Sequence, residues 1–145
     1  FVRAIGSQGS ENGQFQDPWD VCRRPDGSIA VLDSGNKRVQ VFDKEWKFVR
    51  SIGSKGDGPG QLQNPSAMTV GKGGEIIVTD GKRRDVQVFS AEGELLQIIG
   101  ANGDSHSDSA AGSLHYAMTY HDIAADAEGR LIVALKDDRS VVVLS

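Results

Sequence analysis

Short stretches of alternating apolar and polar residues recur along the whole chain, and turn residues separate them. Residues 38–43 read Arg-Val-Gln-Val-Phe-Asp, which is typical of a strand with one buried face. Residues 25–27, Pro-Asp-Gly, are typical of a tight turn, because glycine accepts the positive φ that such turns need. No stretch sustains the period of about 3.6 residues that marks an amphipathic helix. The pattern therefore predicts an all-β protein.

These stretches belong to a repeat of 47 residues. Residues 48–53 nearly copy residues 1–6, and Asp33 recurs as Asp80 at the same offset. A unit of this size cannot bury its own apolar face, so such units stack on their neighbours in solenoids or rings. The expected units are about 1–47, 48–94 and 95–145.

Each complete unit is predicted to contain four short strands, which at this repeat length indicates the blade of a β-propeller. The expected strands are 19–23, 28–33, 38–43 and 46–52 in the first unit, 67–70, 75–80, 85–89 and 94–99 in the second, and 121–124, 130–135 and 140–144 in the third. Residues 1–5 look like the fourth strand of a unit and are expected to complete the blade that the other end leaves open. The expected fold is a propeller with three four-stranded blades.

Composition narrows the classes of function. The formal net charge of −4 argues against a general nucleic-acid binder, although it allows a local basic face. Cys22 is the only cysteine, so the chain can form no internal disulfide and no cysteine-based zinc cluster. We expect Cys22 to pack as a small buried residue. No apolar run approaches the length of a membrane span, and no cofactor is predicted.

The detailed motif resembles the NHL repeat, which combines spaced glycines, a proline, a strand ending in aspartate and a following Asn-x-Arg-Val-x-Val-Phe. In the first unit these residues are Gly9, Gly13, Phe15, Pro18, Gly27, Asp33, Asn36, Arg38, Val39, Val41 and Phe42. The second unit repeats most of them, and the third departs where Leu135 and Lys136 replace the Asp and Gly. The resemblance implies a six-bladed propeller, of which this chain would supply half.

Three blades of normal curvature cannot close a ring, and each open end would expose an apolar blade face. The chain also begins inside a repeat and without a methionine, so we expect it to be a segment of a longer protein. Two ways of closing the ring stay open. The same protein could supply about three further blades, or two copies could join head to tail.

The resemblance also implies what the chain does. NHL propellers of tripartite-motif ubiquitin ligases recruit protein substrates, and some members bind single-stranded RNA. We therefore expect a non-enzymatic, cytoplasmic recognition module for a protein partner, with any ligase chemistry in other domains. Single-stranded RNA binding through a basic loop face is the alternative, and a metal-dependent lyase or esterase on the same fold is a weaker one.

Basic turns between the second and third strands are candidate binding sites for RNA phosphates or an acidic peptide. The residues are Lys37, Arg38, Lys82, Arg83 and Arg84. The alternative interpretation is ordinary solvated charge, with Arg38 paired to Asp33.

The long connection at 104–120 is a second candidate surface. Its second half is apolar and aromatic, and Tyr116 and Tyr120 favour a protein-binding role. The alternative is that its apolar residues pack against the fold.

Repeated aspartates and a glycine-rich stretch have structural interpretations. Asp33 and Asp80 suggest a ring of carboxylates, but aspartate at such a place commonly accepts N–H bonds from the following turn. Residues 53–60 lack the Gly-Lys-Ser/Thr ending of a phosphate loop, so we expect them to connect two blades.

Three histidines, His106, His115 and His121, follow one another in and after the long connection. Their spacing matches no helical zinc signature, and we interpret them as loop and strand residues. No catalytic or metal-binding residue is assigned.

Overall fold

The computed structural model describes residues 3–100, 120–136 and 139–144. In these residues the chain forms fifteen strands joined by turns, and no described segment is a helix able to cross a membrane. Three antiparallel sheets form the blades, and two short parallel pairs lie in the connections before blades 1 and 2. The prediction of an all-β propeller fold is confirmed.

The connection before blade 1 contains β1 (Ser7–Gln8) and β2 (Gln14–Phe15). Blade 1 consists of β3 (Pro18–Arg23), β4 (Ile29–Asp33), β5 (Arg38–Phe42) and β6 (Phe48–Ile52). The next connection contains β7 (Ser54–Lys55) and β8 (Gln61–Leu62). Blade 2 consists of β9 (Pro65–Val70), β10 (Ile76–Asp80), β11 (Asp85–Phe89) and β12 (Leu95–Gly100). The described part of blade 3 consists of β13 (Tyr120–Ala125), β14 (Leu131–Leu135) and β15 (Ser140–Leu144).

The strands of blades 1 and 2 pair in the same register. Asp33 lies opposite Arg38 where β4 turns into β5, and Asp80 lies opposite Asp85 where β10 turns into β11. Because successive side chains point to opposite faces of a strand, a shared register sends equivalent residues to the same side of each blade. Residues 47 apart therefore occupy equivalent positions in the two sheets.

Apolar residues are buried mainly between blades. The core between blades 1 and 2 contains Ala30, Leu32, Val39, Val41, Ile52, Leu62, Met68, Ile76, Val78 and Phe89. The core between blades 2 and 3 contains Ala67, Ile77, Val86, Ile123, Leu131, Val133, Leu135 and Leu144. Each blade thus depends on its neighbour for burial, as expected of a repeat that cannot fold alone.

The eleven strands predicted from residue 19 onward are present, with ends within two residues of those expected. The predicted strand at residues 1–5 is wrong for residues 3–5, which form no strand, and residues 1 and 2 lie outside the described part. A strand needs a hydrogen-bonding neighbour, and the expected neighbour, β15, belongs to the far blade of this half-ring. The two-residue strands of the connections are not predicted, because two residues carry no periodic signal.

Candidate functional site

The turns from β4 to β5 and from β10 to β11 lie beside the blade-to-blade connections. Asp33, the last residue of β4, accepts N–H bonds from Gln16 and Asp17 at 3.0 and 3.1 Å. Asp80, at the same place in β10, accepts two equivalent bonds at 2.6 and 3.0 Å. These bonds fix each turn against the connection before its blade. We call the surface that these turns and connections share the connection face.

The carboxylates of Asp33 and Asp80 are completely buried and serve the backbone. Asp80 also accepts the N–H groups of Lys82 and Arg83 at 3.1 Å each, so the predicted bonding in the following turn is confirmed there. At Asp33 the following turn contributes the side-chain amide of Asn36 instead, at 2.7 Å. Both aspartates therefore have the structural role that the turn chemistry predicts.

Arg38 and Arg83 belong to the predicted basic surface, but their guanidinium groups lie within the protein. Arg38 donates to the carbonyls of Glu11 and Gln14, each at 2.9 Å, and lies 3.5 Å from the Asp33 carboxylate. Arg83 is 5% exposed, forms an ion pair with Asp85 at 2.9 Å and donates to the carbonyl of Asp57. The connection carbonyls need donors, and these arginines supply them. The pairing of Arg38 with Asp33 agrees with the structural interpretation.

At one repeated position of the connection face, basic residues adopt an unusual backbone conformation. Lys37, Arg84 and Arg139 have φ of 57°, 59° and 50°, each immediately before the third strand of its blade. The left-handed conformation costs roughly 1–2 kcal/mol for a residue other than glycine. Lys37 is half-buried, whereas Arg84, Arg139 and the neighbouring Lys82 are exposed. Arg139 is not among the predicted site residues, because two aspartates make its turn neutral in sequence.

Part of the predicted surface lies outside the described residues. This part includes Tyr116, His106 and His115, together with the connection over 104–119. Tyr120 begins β13. The role of this connection in partner binding stays a prediction.

The first strands of the three blades are neighbours, since β3 packs beside β9 and β9 beside β13. They are therefore the innermost strands of the propeller. Near the start of each, one residue is skipped in the pairing with the second strand, and these residues are Trp19, Ser66 and His121. They occupy the same repeat position, and all three line one cavity. A bulge re-aims the side chain of the extra residue, which explains how three inner strands direct side chains to a common space.

This cavity, which we call the rim pocket, has a volume of about 450 Å³. Besides the bulge residues it is lined by Asp17, Ser34, Asn64, Pro65 and Lys136. Trp19 is 64% exposed, and His121, Lys136 and Asp17 are exposed as well. The pocket therefore offers an aromatic face, an imidazole, an ammonium group and a carboxylate to a ligand.

The lining of the rim pocket differs between blades at positions that are equivalent in the repeat. One such position holds Trp19, Ser66 and His121, and another holds Ser34 in blade 1 and Lys136 in blade 3. Core positions instead keep their type, as at Val39 and Val86 or at Phe42 and Phe89. A symmetric scaffold thus carries an asymmetric set of side chains, which suits recognition of an asymmetric ligand. The sequence signal is this contrast between constant and variable repeat positions.

Neither Cys22 nor the described acidic residues form a metal centre. Within residues 3–100, 120–136 and 139–144, no three His, Cys, Asp or Glu side chains converge as ligands of an ion. Cys22 is half-buried in β3, and its Sγ donates to the carbonyl of Met68 at 3.5 Å. Burial, with the nearby carboxylates of Asp20 and Asp122, raises the pKa of the Cys22 thiol to about 11. The thiol is therefore protonated at neutral pH and is a poor nucleophile.

A family model described as a 6-bladed beta-propeller, DUF5128, matches residues 5–99 of the 145. Curated relatives match shorter segments. Protein lin-41 of Caenorhabditis elegans is 38% identical over 47 residues, which are 32% of this chain and 4% of the relative. RING finger protein nhl-1 of the same organism is 43% identical over 47 residues, which are 32% of this chain and 5% of the relative. The chain thus corresponds to a small part of either protein.

Solved structures show the same fold at low identity. A candidate exported protein of Bacteroides fragilis has a TM-score of 0.64 and 20% identity, over 90% of this chain and 33% of that one. A streptogramin B lyase has a TM-score of 0.60 and 14% identity, over 83% of this chain and 35% of that one. The similarity extends over most of this chain and about a third of each structure.

Proposed function

The chain belongs to the 6-bladed β-propeller family DUF5128, and we propose that it is a recognition module that binds a protein partner at the rim pocket of its connection face. The observation that supports this function is the exposed indole of Trp19, set by a bulge at the inner end of a rigid strand. Tryptophan is strongly enriched among residues that dominate protein–protein binding energy, because it buries a large area at little entropic cost.

The surroundings of Trp19 fit a peptide segment better than a flat surface. His121, Lys136 and Asp17, which line the same pocket, give it donors and acceptors besides the aromatic side chain. Interfaces of this type combine an apolar anchor with a polar rim. We therefore expect the partner to insert one apolar or aromatic side chain beside Trp19 and to place polar groups against the rim.

The proposed setting is a ubiquitin ligase of the tripartite-motif kind, in which this propeller recruits the substrate in the cytoplasm. Supporting this setting are the similarity to lin-41 and to nhl-1, whose name includes a RING finger. In this proposal the propeller itself is not catalytic. A chain with one cysteine cannot form a cysteine-rich zinc domain, so ligase chemistry would belong to another part of the protein.

Peptide selection tests the binding role directly. Peptides that bind the purified chain are selected from a random display library, and their dissociation constants are measured by calorimetry. Trp19→Ala should weaken binding at least tenfold, because removing an anchor costs about 2 kcal/mol. Since Trp19 is exposed, the melting temperature of the Trp19→Ala variant should equal that of the parent. Leu96→Ala, which alters an exposed apolar residue of β12 away from the pocket, is the matched control. Peptides that bind Trp19→Ala as tightly as the parent would contradict the proposal.

Single-stranded RNA is the second candidate ligand, because Lys37, Arg84 and Arg139 repeat a basic side chain at a costly backbone position. Arg84→Gly removes the charge and relieves the left-handed strain of the backbone. If these residues contact phosphates, Arg84→Gly with Lys82→Glu should weaken RNA binding and lower the salt slope by about 1 for each lost contact. Lys44→Glu, an exposed lysine after β5 on the opposite face, is the control. RNA binding that is absent, or unchanged in the double variant, removes this candidate.

A further inference from the structure

An arginine side chain lies in the space between blades 1 and 2. Arg24, in the turn from β3 to β4, is only 6% exposed. Its guanidinium group donates to the carbonyl of Gly74 at 3.1 Å, to that of Ala91 at 2.8 Å and to the Ser28 hydroxyl at 3.3 Å. This space is therefore suited to an apolar stem that carries a charged group of hydrogen-bond donors.

The equivalent space between blades 2 and 3 lacks this side chain. The repeat position of Arg24 is Gly71 in blade 2, and a cavity of about 310 Å³ is lined by Gly71 and Gly129. Gly129 is the counterpart of Gly74. A methyl group added at Gly74 would lie 3.3 Å from Nη2 of Arg24, whereas one added at Gly129 would meet no atom of the described residues within 4 Å. The difference results from the exchange of arginine for glycine at an internal position of the chain.

The walls of this cavity suit an apolar stem. Ile77, Val88 and Leu131 line it, and Ile77 and Leu131 are buried in the core between blades 2 and 3. Pockets for small ligands start at roughly 300 Å³. A volume of about 310 Å³ therefore fits a ligand of the size of one long side chain.

A carboxylate at the cavity replaces the hydroxyl that Arg24 contacts between blades 1 and 2. Glu75, which lines the cavity, has the repeat position of Ser28. Its Oε2 accepts the N–H of Gly73 at 2.9 Å, and a methyl group added at Gly71 would touch that oxygen. The carboxylate thus lies beside the backbone position that corresponds to Arg24. An ionised carboxylate binds a cationic donor more strongly than a hydroxyl does.

We propose that the cavity between blades 2 and 3 binds an alkylguanidinium cation, namely the side chain of an arginine in a bound peptide. The stem of this arginine lies on Ile77 and Leu131, and its guanidinium group donates to the carboxylate of Glu75 and the carbonyl of Gly129. A planar guanidinium has enough donors to serve both acceptors at once. The ligand thus takes the place that Arg24 takes between blades 1 and 2.

This site is separate from the rim pocket. The turn from β9 to β10, which contains Gly71, follows the end of β9 that is opposite to its connection, so the cavity lies on the other face of the propeller. Lys72 and Glu75 are the charged residues that line it in the described part of the chain. Glu75 attracts a cationic ligand, whereas the exposed Lys72 repels it. The inference does not depend on the proposed function.

Titration with small probes tests the site. n-Butylguanidinium has the stem and the charged group of an arginine side chain, and N-acetylarginine amide adds the peptide backbone. Both should shift the amide resonances of Gly71 and Gly129 saturably in NMR spectra of the purified chain. Butylurea, which is similar in shape but neutral, should bind about tenfold more weakly, because it cannot form a charged hydrogen bond. No saturable binding of butylguanidinium, or equal binding of butylurea, overturns the proposal, and failure of N-acetylarginine amide to bind overturns a peptide as the source.

Substitutions locate the bound cation. Gly71→Arg should abolish binding of butylguanidinium, because the new side chain fills the cavity as Arg24 fills its counterpart, and Gly71 is not among the residues with positive φ. Glu75→Gln should weaken binding several-fold, whereas Lys72→Gln should strengthen it. Lys82→Gln, at an exposed lysine of the connection face, is the matched control and should change nothing. Unchanged binding in a folded Gly71→Arg overturns the proposal. So do changes of equal sign in the two charge variants, which decide the matter should Gly71→Arg not fold.

Discussion

Blades 1 and 2 are two copies of one repeat, yet each contains a buried arginine where the other has none. Blade 1 holds Arg24 in the turn between β3 and β4, where blade 2 has Gly71. Blade 2 holds Arg83 in the turn between β10 and β11, where blade 1 has Asn36. The two arginines lie on opposite faces of the propeller and are stabilised differently.

Arg24 is held by neutral oxygens. It is 6% exposed and donates to the carbonyls of Gly74 at 3.1 Å and Ala91 at 2.8 Å, and to the Ser28 hydroxyl at 3.3 Å. Gly74 and Ala91 belong to the turns of blade 2, so this side chain joins two blades. Loss of the Arg24 side chain would leave the carbonyls of Gly74 and Ala91 without these hydrogen-bond donors.

Arg83 is held by a carboxylate. Its Nη2 lies 2.9 Å from Asp85, which is completely buried, and its Nη1 donates to the carbonyl of Asp57 within the preceding connection. Blade 1 meets the same need with Asn36 and Arg38, which reach carbonyls of its own connection. The repeat therefore fixes where backbone carbonyls need donors, and different side chains satisfy them. Loss of Arg83 should therefore leave the buried charge of Asp85, whereas loss of Arg24 should leave only neutral oxygens.

The largest effect is expected for Arg83→Met. This change leaves the buried Asp85 without its ion-pair partner, which typically costs about 3 kcal/mol in the free energy of unfolding. Urea unfolding followed by tryptophan fluorescence measures it. Lys82→Met, at an exposed lysine of the same turn, is the control and should cost much less. A loss of less than about 1 kcal/mol for Arg83→Met would show that the pair contributes little.

A smaller loss is expected for Arg24→Met. The methionine keeps much of the apolar stem but leaves the carbonyls of Gly74 and Ala91 without their donor, at a cost of about 2 kcal/mol. No buried charge is left behind, so the loss should stay below that of Arg83→Met in the same assay. Arg23→Met, at the exposed preceding residue, is the control. Equal losses at Arg24 and Arg83 would contradict the distinction drawn between the two sites.

Much of the fold is predictable from the sequence, because the same pattern of strand and turn residues occurs in more than one repeat. The alternation in 38–43 and 85–89 and the turn glycines at 27 and 74 locate strands that the structure confirms. The segment at 1–5 shows the limit of this reasoning. Its sequence is that of an outer strand, but pairing depends on a neighbour that a single chain does not place beside it.

The candidate site is less predictable, because it depends on side-chain directions that the sequence alone does not determine. A basic turn residue can point to solvent or back to a carbonyl, and Arg38 and Arg83 do the latter. The rim pocket depends on three bulges, whose residues Trp19, Ser66 and His121 are 47 and 55 positions apart. Only the register of the inner strands shows that they meet. Differences between repeats at equivalent positions are the signal that could have found them.

The solution used by blade 1 should work in blade 2 if the two turns are interchangeable. Arg83→Asn with Asp85→Arg recreates in blade 2 the pair formed by Asn36 and Arg38. We expect the double variant to recover most of the stability lost in Arg83→Met and to lie within about 1 kcal/mol of the parent, since Asp80 can accept from both new side chains as Asp33 does. Asp85→Arg alone is the control and should be much less stable, because two buried cations would then be adjacent. A double variant no more stable than this control would mean that the blades are not equivalent at this turn.

The smallest effect is a loss of stability with rising pH that blade 2 should show and the Arg24 site should not. Burial raises the pKa of Asp85 above its ordinary value, and the hydrogen bond and charge of Arg83 oppose that rise. The folded state therefore binds the Asp85 proton more tightly than the unfolded state does. The contribution of this group to stability is full below the ordinary aspartate pKa and is lost as pH rises through the raised folded value.

Asp85→Asn removes this titration and isolates it from the other carboxylates. The free energy of unfolding of the parent minus that of Asp85→Asn should fall as pH rises from below the ordinary aspartate pKa through the raised folded value. The corresponding difference for Arg24→Met should not fall as pH rises, because Asp26, whose pKa the hydrogen bonds from Ser28 and the Arg24 charge lower, ionises in this range and can only add to the contribution of Arg24. Urea unfolding of the three proteins at several pH values measures both differences. If the free energy of unfolding of the parent minus that of Asp85→Asn instead rises with pH, the ion pair with Arg83 outweighs the burial of Asp85. The two arginines would then differ only in whether they pair with a charge.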